Sequence, residues 1–181
     1  FRPDGKLMYV LGTSGDDITY YSLSTAWDVL TAAFVSQSNS TTTQNGSPQG
    51  MYFKPDGTKV FITGSAAPAG VWAYSCVSPW DVSTITYDSN TIDLSSVTTS
   101  PQGIWFKPDG TKMYIASNTG AVSTYTDTIL EFTLMTAWDV SGATLTAYFS
   151  TASRDTQPTG LQFTDDGMRM FISGATGDNI V

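Results

Sequence analysis

The sequence contains no histidine. That removes His-based triads, imidazole metal ligands and imidazole proton shuttles. Glutamate is nearly absent too: Glu131 is the only one, so fifteen of the sixteen acidic residues are Asp. Cys76 is the single cysteine, which excludes an internal disulfide and leaves the redox compartment undetermined. Charged residues make up 13% of the chain, about half the usual share of roughly 25%. The eight Lys and Arg are scattered, and against sixteen acids they leave a net charge of −8. No basic stripe exists to follow a phosphate backbone, so nucleic acid is not an expected partner. No apolar run approaches the roughly 18 residues of a membrane helix, and no membrane span is expected. The sequence opens in mid-pattern at Phe1-Arg2-Pro3, with neither an initiator Met nor a signal-peptide pattern. The expectation is a mature form, an excised piece or a truncated reading frame.

What is present is a chain of 181 residues, 40% hydrophobic and 13% aromatic, rich in Ser, Thr, Asp and Gly. That length is one domain, 1–181, with enough apolar residues for a real core. The composition favours strands and turns over long helices.

Two markers recur in phase. Phe1-Arg2-Pro3-Asp4-Gly5 returns as Phe53-Lys54-Pro55-Asp56-Gly57, as Phe106-Lys107-Pro108-Asp109-Gly110, and loosely as Phe163-Thr164-Asp165-Asp166-Gly167. Trp27-Asp28-Val29 returns as Trp80-Asp81-Val82 and Trp138-Asp139-Val140. The glycines lie 52, 53 and 57 residues apart, and each Trp precedes the next Gly by 30, 30 and 29. One unit therefore repeats about every 53 residues, over 1–47, 48–100, 101–157 and 158–181, with about five extra residues in one loop of the third copy.

Each unit reads as four short strands. Gly50–Phe53, Gly103–Phe106 and Gly160–Phe163 alternate with period two, so Phe53, Phe106 and Phe163 are expected to share one buried position. A Pro-Asp-Gly turn then leads into a continuous apolar run at Met8–Leu11, Val60–Ile62, Met113–Ile115 and Met170–Ile172. A third strand is expected at Ile18–Leu23, Val71–Cys76 and Ile129–Leu134. A fourth, more polar strand suited to an outer edge follows at Leu30–Ser36, Ile85–Leu94 and Leu145–Ser150.

Four-stranded antiparallel units of this length are the blades of a β-propeller. The Phe-x-Pro-Asp-Gly-x-x-Met-Tyr-Val/Ile pattern resembles the YVTN and lactonase-like propeller repeats of the broad WD40-like superfamily. The likeness covers the whole chain and implies an all-β propeller of about 3.5 blades. The Trp-Asp-Val linker also resembles tandem repeats of exported and phage-encoded proteins of environmental microbes. It is not the WD40 dipeptide in its usual setting, because no Gly-His precedes it. A β-sandwich is the alternative architecture, but it predicts no pair of markers held in phase.

The fold hosts many functions, so function rests on sites. Cys76 falls where the other copies have Leu23 and Leu134, which reads as a small buried hydrophobe and not a nucleophile. The acids of the Pro-Asp-Gly and Trp-Asp-Val markers recur because turns need them. Gly15-Asp16-Asp17 and Gly177-Asp178-Asn179 offer oxygen ligands for Ca²⁺, but one or two carboxylates fall short of a cage of 6–8 oxygens. No cofactor, transition metal or catalytic dyad is expected.

The loops entering first strands and those joining second to third strands share one face near the channel. That face collects the candidate ligand-binding residues Gln49, Gln102, Asp16, Asp17, Asn118, Tyr125, Asp127, Arg154 and Asp178, with Thr159 beside them. The leading expectation is a non-catalytic binding or structural module of an exported, cell-surface or virion protein, contacting protein or glycan. The alternative is a lactonase- or lyase-type propeller enzyme, which the lack of His and Glu disfavours. Incomplete units at both ends predict a homo-oligomer whose chains complete each other's blades, or a longer repeat array.

Overall fold

The computed structural model describes residues 1–176, and the sequence's Asp178 candidate lies outside them. There are no α-helices among the described residues, only strands and three short 3₁₀ turns. The first sheet holds β1 (Leu7–Gly12), β2 (Asp17–Leu23) and β3 (Ala32–Gln37). The second holds β4 (Pro48–Phe53), β5 (Lys59–Gly64), β6 (Gly70–Cys76) and β7 (Ile85–Asp93). The third holds β8 (Pro101–Phe106), β9 (Lys112–Ser117), β10 (Thr128–Thr133) and β11 (Thr144–Ser150). The last pairs β12 (Pro158–Phe163) with β13 (Met170–Gly174). Every pairing is antiparallel and follows chain order, giving the expected partial propeller of about three and a half blades.

The polar fourth strands β3, β7 and β11 lie at outer edges, as their composition predicts. The first of them begins two residues later than expected, at Ala32 instead of Leu30. Val29–Thr31 forms a 3₁₀ turn instead of strand, because the Asp28 side chain accepts the Leu30 N–H. Asp81 caps Val82–Thr84 in the same way. A bulge recurs where each third strand meets its fourth, at Tyr20/Tyr21, Trp72/Tyr74 and Glu131/Phe132. Such bulges twist an edge and blunt it as a template.

The blades pack face to face, and the two-residue strand period divides each between two cores. Tyr9, Ile18 and Tyr20 of the first blade meet Val60, Ile62, Tyr74, Cys76 and Val82 of the second. Phe61, Val71 and Ala73 of the second meet Phe106, Met113, Phe132, Leu134 and Val140 of the third. Ala116 and Ile129 of the third meet Ile172 of the fourth. Burying side chains such as Phe61, Phe106 and Phe132 contributes about 1.5–3 kcal/mol each.

Leu23, Cys76 and Leu134 are all buried, as expected of one repeated position. Phe53, Phe106 and Phe163 of the first marker are not equal. Phe106 is fully buried, but Phe53 and Phe163 are only half-buried, which corrects the expectation that all three are core. Only Phe106 lies between two four-stranded blades. Phe53 faces a blade without an innermost strand, and Phe163 belongs to a blade with two described strands.

The innermost strands β4, β8 and β12 run side by side about the axis, and glycine sets their spacing. A Cβ on Gly50 would lie 2.6 Å from the Gln102 carbonyl oxygen, and one on Gly103 would lie 2.9 Å from the Gly160 Cα. Only hydrogen fits between these backbones.

Candidate functional site

The two ends of the half-ring are built by different devices. At one end stand the Pro-Asp-Gly turns. Gly5, Gly57, Gly110 and Gly167 have φ of 71°, 73°, 74° and 69°, the left-handed region open to glycine. The preceding Asp accepts the backbone N–H two residues on: Lys6 from Asp4, Thr58 from Asp56, Thr111 from Asp109 and Met168 from Asp166. The hydrogen bond from Arg2 holds Asp4 down at about 2, and that from Lys107 holds Asp109 lower still. These acids are ionised and committed to turns, as the sequence implies.

The opposite end carries the candidate ligand residues. Asp16 has φ 49° and its carbonyl accepts both the N–H and the hydroxyl of Thr41, while its carboxylate accepts the Thr42 hydroxyl at 2.9 Å. Its Oδ1 is buried without a hydrogen-bond partner among the described residues. Asp127 occupies the same place in the third blade, with φ 53° and its carbonyl accepting the Thr151 N–H and hydroxyl. Burial raises the Asp127 carboxyl, and nearby Asp155 adds to the effect. Gln49 donates to Ser47 and Ser65, and Gln102 donates to Ser100. Asn118 accepts the Asp127 N–H through its backbone. Tyr125 packs edge-on against Tyr148 at 5.4 Å. The Arg154 side chain is exposed beside Phe149 and Ile172 on a shallow hollow of about 170 Å³. Asp17 turns its carboxylate toward Gly15.

Of these candidates, Asn118 and Asp127 are joined by a hydrogen bond across one loop. Among the described residues no three His, Cys, Asp or Glu side chains gather at a point where they could hold a metal ion.

One feature of this end is hidden in the Ser/Thr-rich links. Before each innermost strand the chain makes a single helical turn, with Asn45 N–H on Thr41, Thr98 N–H on Leu94 and Asp155 N–H on Thr151, each at 2.8 Å. The last side chain of each turn is buried and caps the strand entry. Asn45 accepts from Ser47, Thr98 from Ser100 and Asp155 from Gln157. Recurrence three residues before Pro48, Pro101 and Pro158 is the signal that reveals it.

A hollow of about 380 Å³ is lined by Tyr125, Leu145 and Tyr148, and two more lie at the Pro-Asp-Gly end, where the sequence placed no candidate. A groove of about 360 Å³ between the third and fourth blades is lined by Trp105, Tyr114 and Phe163, with Lys107, Lys112 and Asp166 at its rim. The Trp105 and Tyr114 rings each stand 4.7 Å from Phe163. Burial pushes the Tyr114 phenol up to about 12, with Glu131 adding to it, and Lys112 pairs with the same Glu131. A second groove of about 330 Å³ lies between the first and second blades, lined by Phe1, Tyr9, Phe53 and Trp80. Cys76 is remote from chemistry: burial pushes its thiol up to about 11, and Asp81 and Asp88 add to the shift.

No protein-family model matches the sequence. No curated protein matches it either. Solved structures do. A putative 6-phosphogluconolactonase from Bacteroides uniformis superimposes on 99% of this chain and 47% of its own, with TM-score 0.66 and 19% identity. One from Bacteroides fragilis covers 95% of this chain and 45% of its own, with TM-score 0.59 and 17% identity. A chain of a nidogen–laminin complex covers 96% and 54%, with TM-score 0.59 and 14% identity. The chain thus spans about half the length of the propellers it resembles. At these identities the likeness establishes the architecture alone: an all-β partial propeller of about three and a half blades.

Proposed function

We propose that the chain is a non-catalytic binding or structural module, half of a propeller ring, in an exported, cell-surface or virion protein that contacts protein or glycan. The supporting observation is how its acids are used. In the Pro-Asp-Gly and Trp-Asp-Val markers each Asp accepts a backbone N–H two residues on. Carboxylates engaged in that way hold turns and are poor general bases, since hydrogen bonding to the charged form lowers basicity. The ring is completed by a second copy or by further repeats, because the first blade lacks an inner strand and the fourth lacks outer ones among the described residues. The ligand surface is the loop end bearing Gln49, Gln102, Asp16, Asp127 and Arg154.

A glycan array and a lactone-hydrolysis assay test this together. Binding to a defined glycan set, lost in Gln49→Ala/Gln102→Ala/Arg154→Ala and accompanied by no lactone turnover, is the expected result. Turnover of 6-phosphogluconolactone, the reaction that the two Bacteroides structures are named for, would establish the enzyme reading instead.

A further inference from the structure

The groove between the third and fourth blades is an indole socket, and its internal copies show what fills it. Between the second and third blades the same position is occupied by Trp138. Its ring lies over Gly110, where a Cβ would come within 2.3 Å, and 5.5 Å from Phe106. It stands 6.4 Å from Tyr52 and 6.2 Å from Phe61. By repeat register Phe106, Tyr52, Phe61 and Gly110 correspond to Phe163, Trp105, Tyr114 and Gly167. Those four surround the groove, and above Gly167 nothing among the described residues lies within 4 Å of a Cβ position. Next to the groove, β13 is paired only with β12 among the described residues, whereas β5 and β9 each carry a third strand. In both complete blades that third strand leads through a short turn to the tryptophan. Among the described residues the strand edge is open and the aromatic socket empty, and both are complementary to one and the same segment.

We propose that the β13 edge and the Trp105–Tyr114–Phe163 groove form a docking site for one occupant, a polypeptide strand followed by a turn into Trp-Asp-Val, the second half of a further copy of this repeat. This rests on reading the chain as an incomplete ring. The register follows from the third blade, where Phe132 pairs with Met113 and Leu130 with Ile115. The docked strand sets its residue six before the Trp opposite Met170 and the one eight before it opposite Ile172. The Trp N–H donates to the Gly167 carbonyl, as Trp138 N–H does to Gly110 at 3.0 Å, and the indole closes over Gly167. Main-chain pairing supplies affinity and the aromatic pocket supplies selectivity, as in strand addition generally.

The probe is a fluorescein-labelled peptide of residues 128–142 of this chain, titrated against the intact 181-residue protein by anisotropy, with amide NMR shifts locating the contact. The expected result is saturable binding, shifts centred on Phe163–Gly174, and at least tenfold weaker binding for the peptide carrying Trp138→Ala. Gly167→Leu, which places a side chain where the indole sits, should weaken binding by a similar factor while far-ultraviolet circular dichroism stays unchanged. No binding, binding indifferent to the tryptophan, or shifts confined to the third blade would overturn the proposal. Sedimentation of the protein alone reads the ring-completion idea separately. A monomer that still binds the peptide would keep the socket and remove self-assembly by this chain.

Discussion

Trp80 lies on Gly57. Its N–H donates to the Gly57 carbonyl at 2.9 Å, and a Cβ on Gly57 would stand 2.3 Å from the Trp80 indole nitrogen. The same couple recurs in Trp27 with Gly5 and Trp138 with Gly110. In each the tryptophan itself is left-handed, with φ of 66°, 69° and 66°, a conformation that costs a bulky residue energy unless its surroundings hold it. Here the hydrogen bond and the indole–glycine contact hold it. This is why the two markers keep phase: they are two halves of one contact.

Gly57→Ala should therefore lose more stability than Gly167→Ala. Both residues have positive φ, so both substitutions incur the left-handed penalty of about 1–2 kcal/mol. Only Gly57 also meets an indole, and the overpacking adds roughly 1–3 kcal/mol. Urea denaturation of the two variants measures the difference. Equal losses would show that the indole contact contributes nothing.

Gly103→Ala should disrupt the axis. The obstructing atoms are the Gly160 Cα and the Thr159 carbonyl, both at 2.9 Å, and backbone cannot rotate aside as a side chain can. Gly142→Ala is the control, with the Met135 Cβ as its nearest neighbour at 3.7 Å. The first should lower the melting temperature by several degrees, a loss of about 1–3 kcal/mol, while the second changes it little.

Cys76 should be inert in the folded protein. With its thiol at about 11, the thiolate is scarce at pH 8, and the side chain is buried. Incubation with iodoacetamide at pH 8 should leave it unmodified until denaturant is added. Rapid labelling without denaturant would contradict the packing.

Acid should destabilise the fold in a defined window. Asp4 sits at about 2, held there by the Arg2 hydrogen bond, and Asp109 and Asp166 are also lowered. An unfolded Asp titrates near about 3.9. A carboxylate lowered on folding contributes stability above the unfolded value and loses it as pH falls through the folded one. The melting temperature should be level from pH 7 to 5 and fall between about pH 4 and 2. A midpoint of loss above pH 5 would point to other groups.

The blade is legible in the order of residues alone. Period-two alternation, Pro-Asp-Gly turns and two markers in phase are local or repeated signals, and they located strands β4 to β13 to within a few residues. They also identified Cys76 as a core position, because register alone aligns it with Leu23 and Leu134. What depends on neighbouring blades is set by their packing. Phe53, Phe106 and Phe163 occupy one repeat position, yet only Phe106 is fully buried, since burial there is supplied by the adjacent sheets. Val29 is 55% exposed while Val82 and Val140 are at 0%, for the same reason. The left-handed tryptophans, the backbone contact of Gly103 with Gly160 and the aromatic groove at Phe163 arise from residues about 20 to 60 positions apart meeting in space. A pattern of residue types along the chain records that such positions recur; the packing of one blade on the next decides which are filled and which are left open.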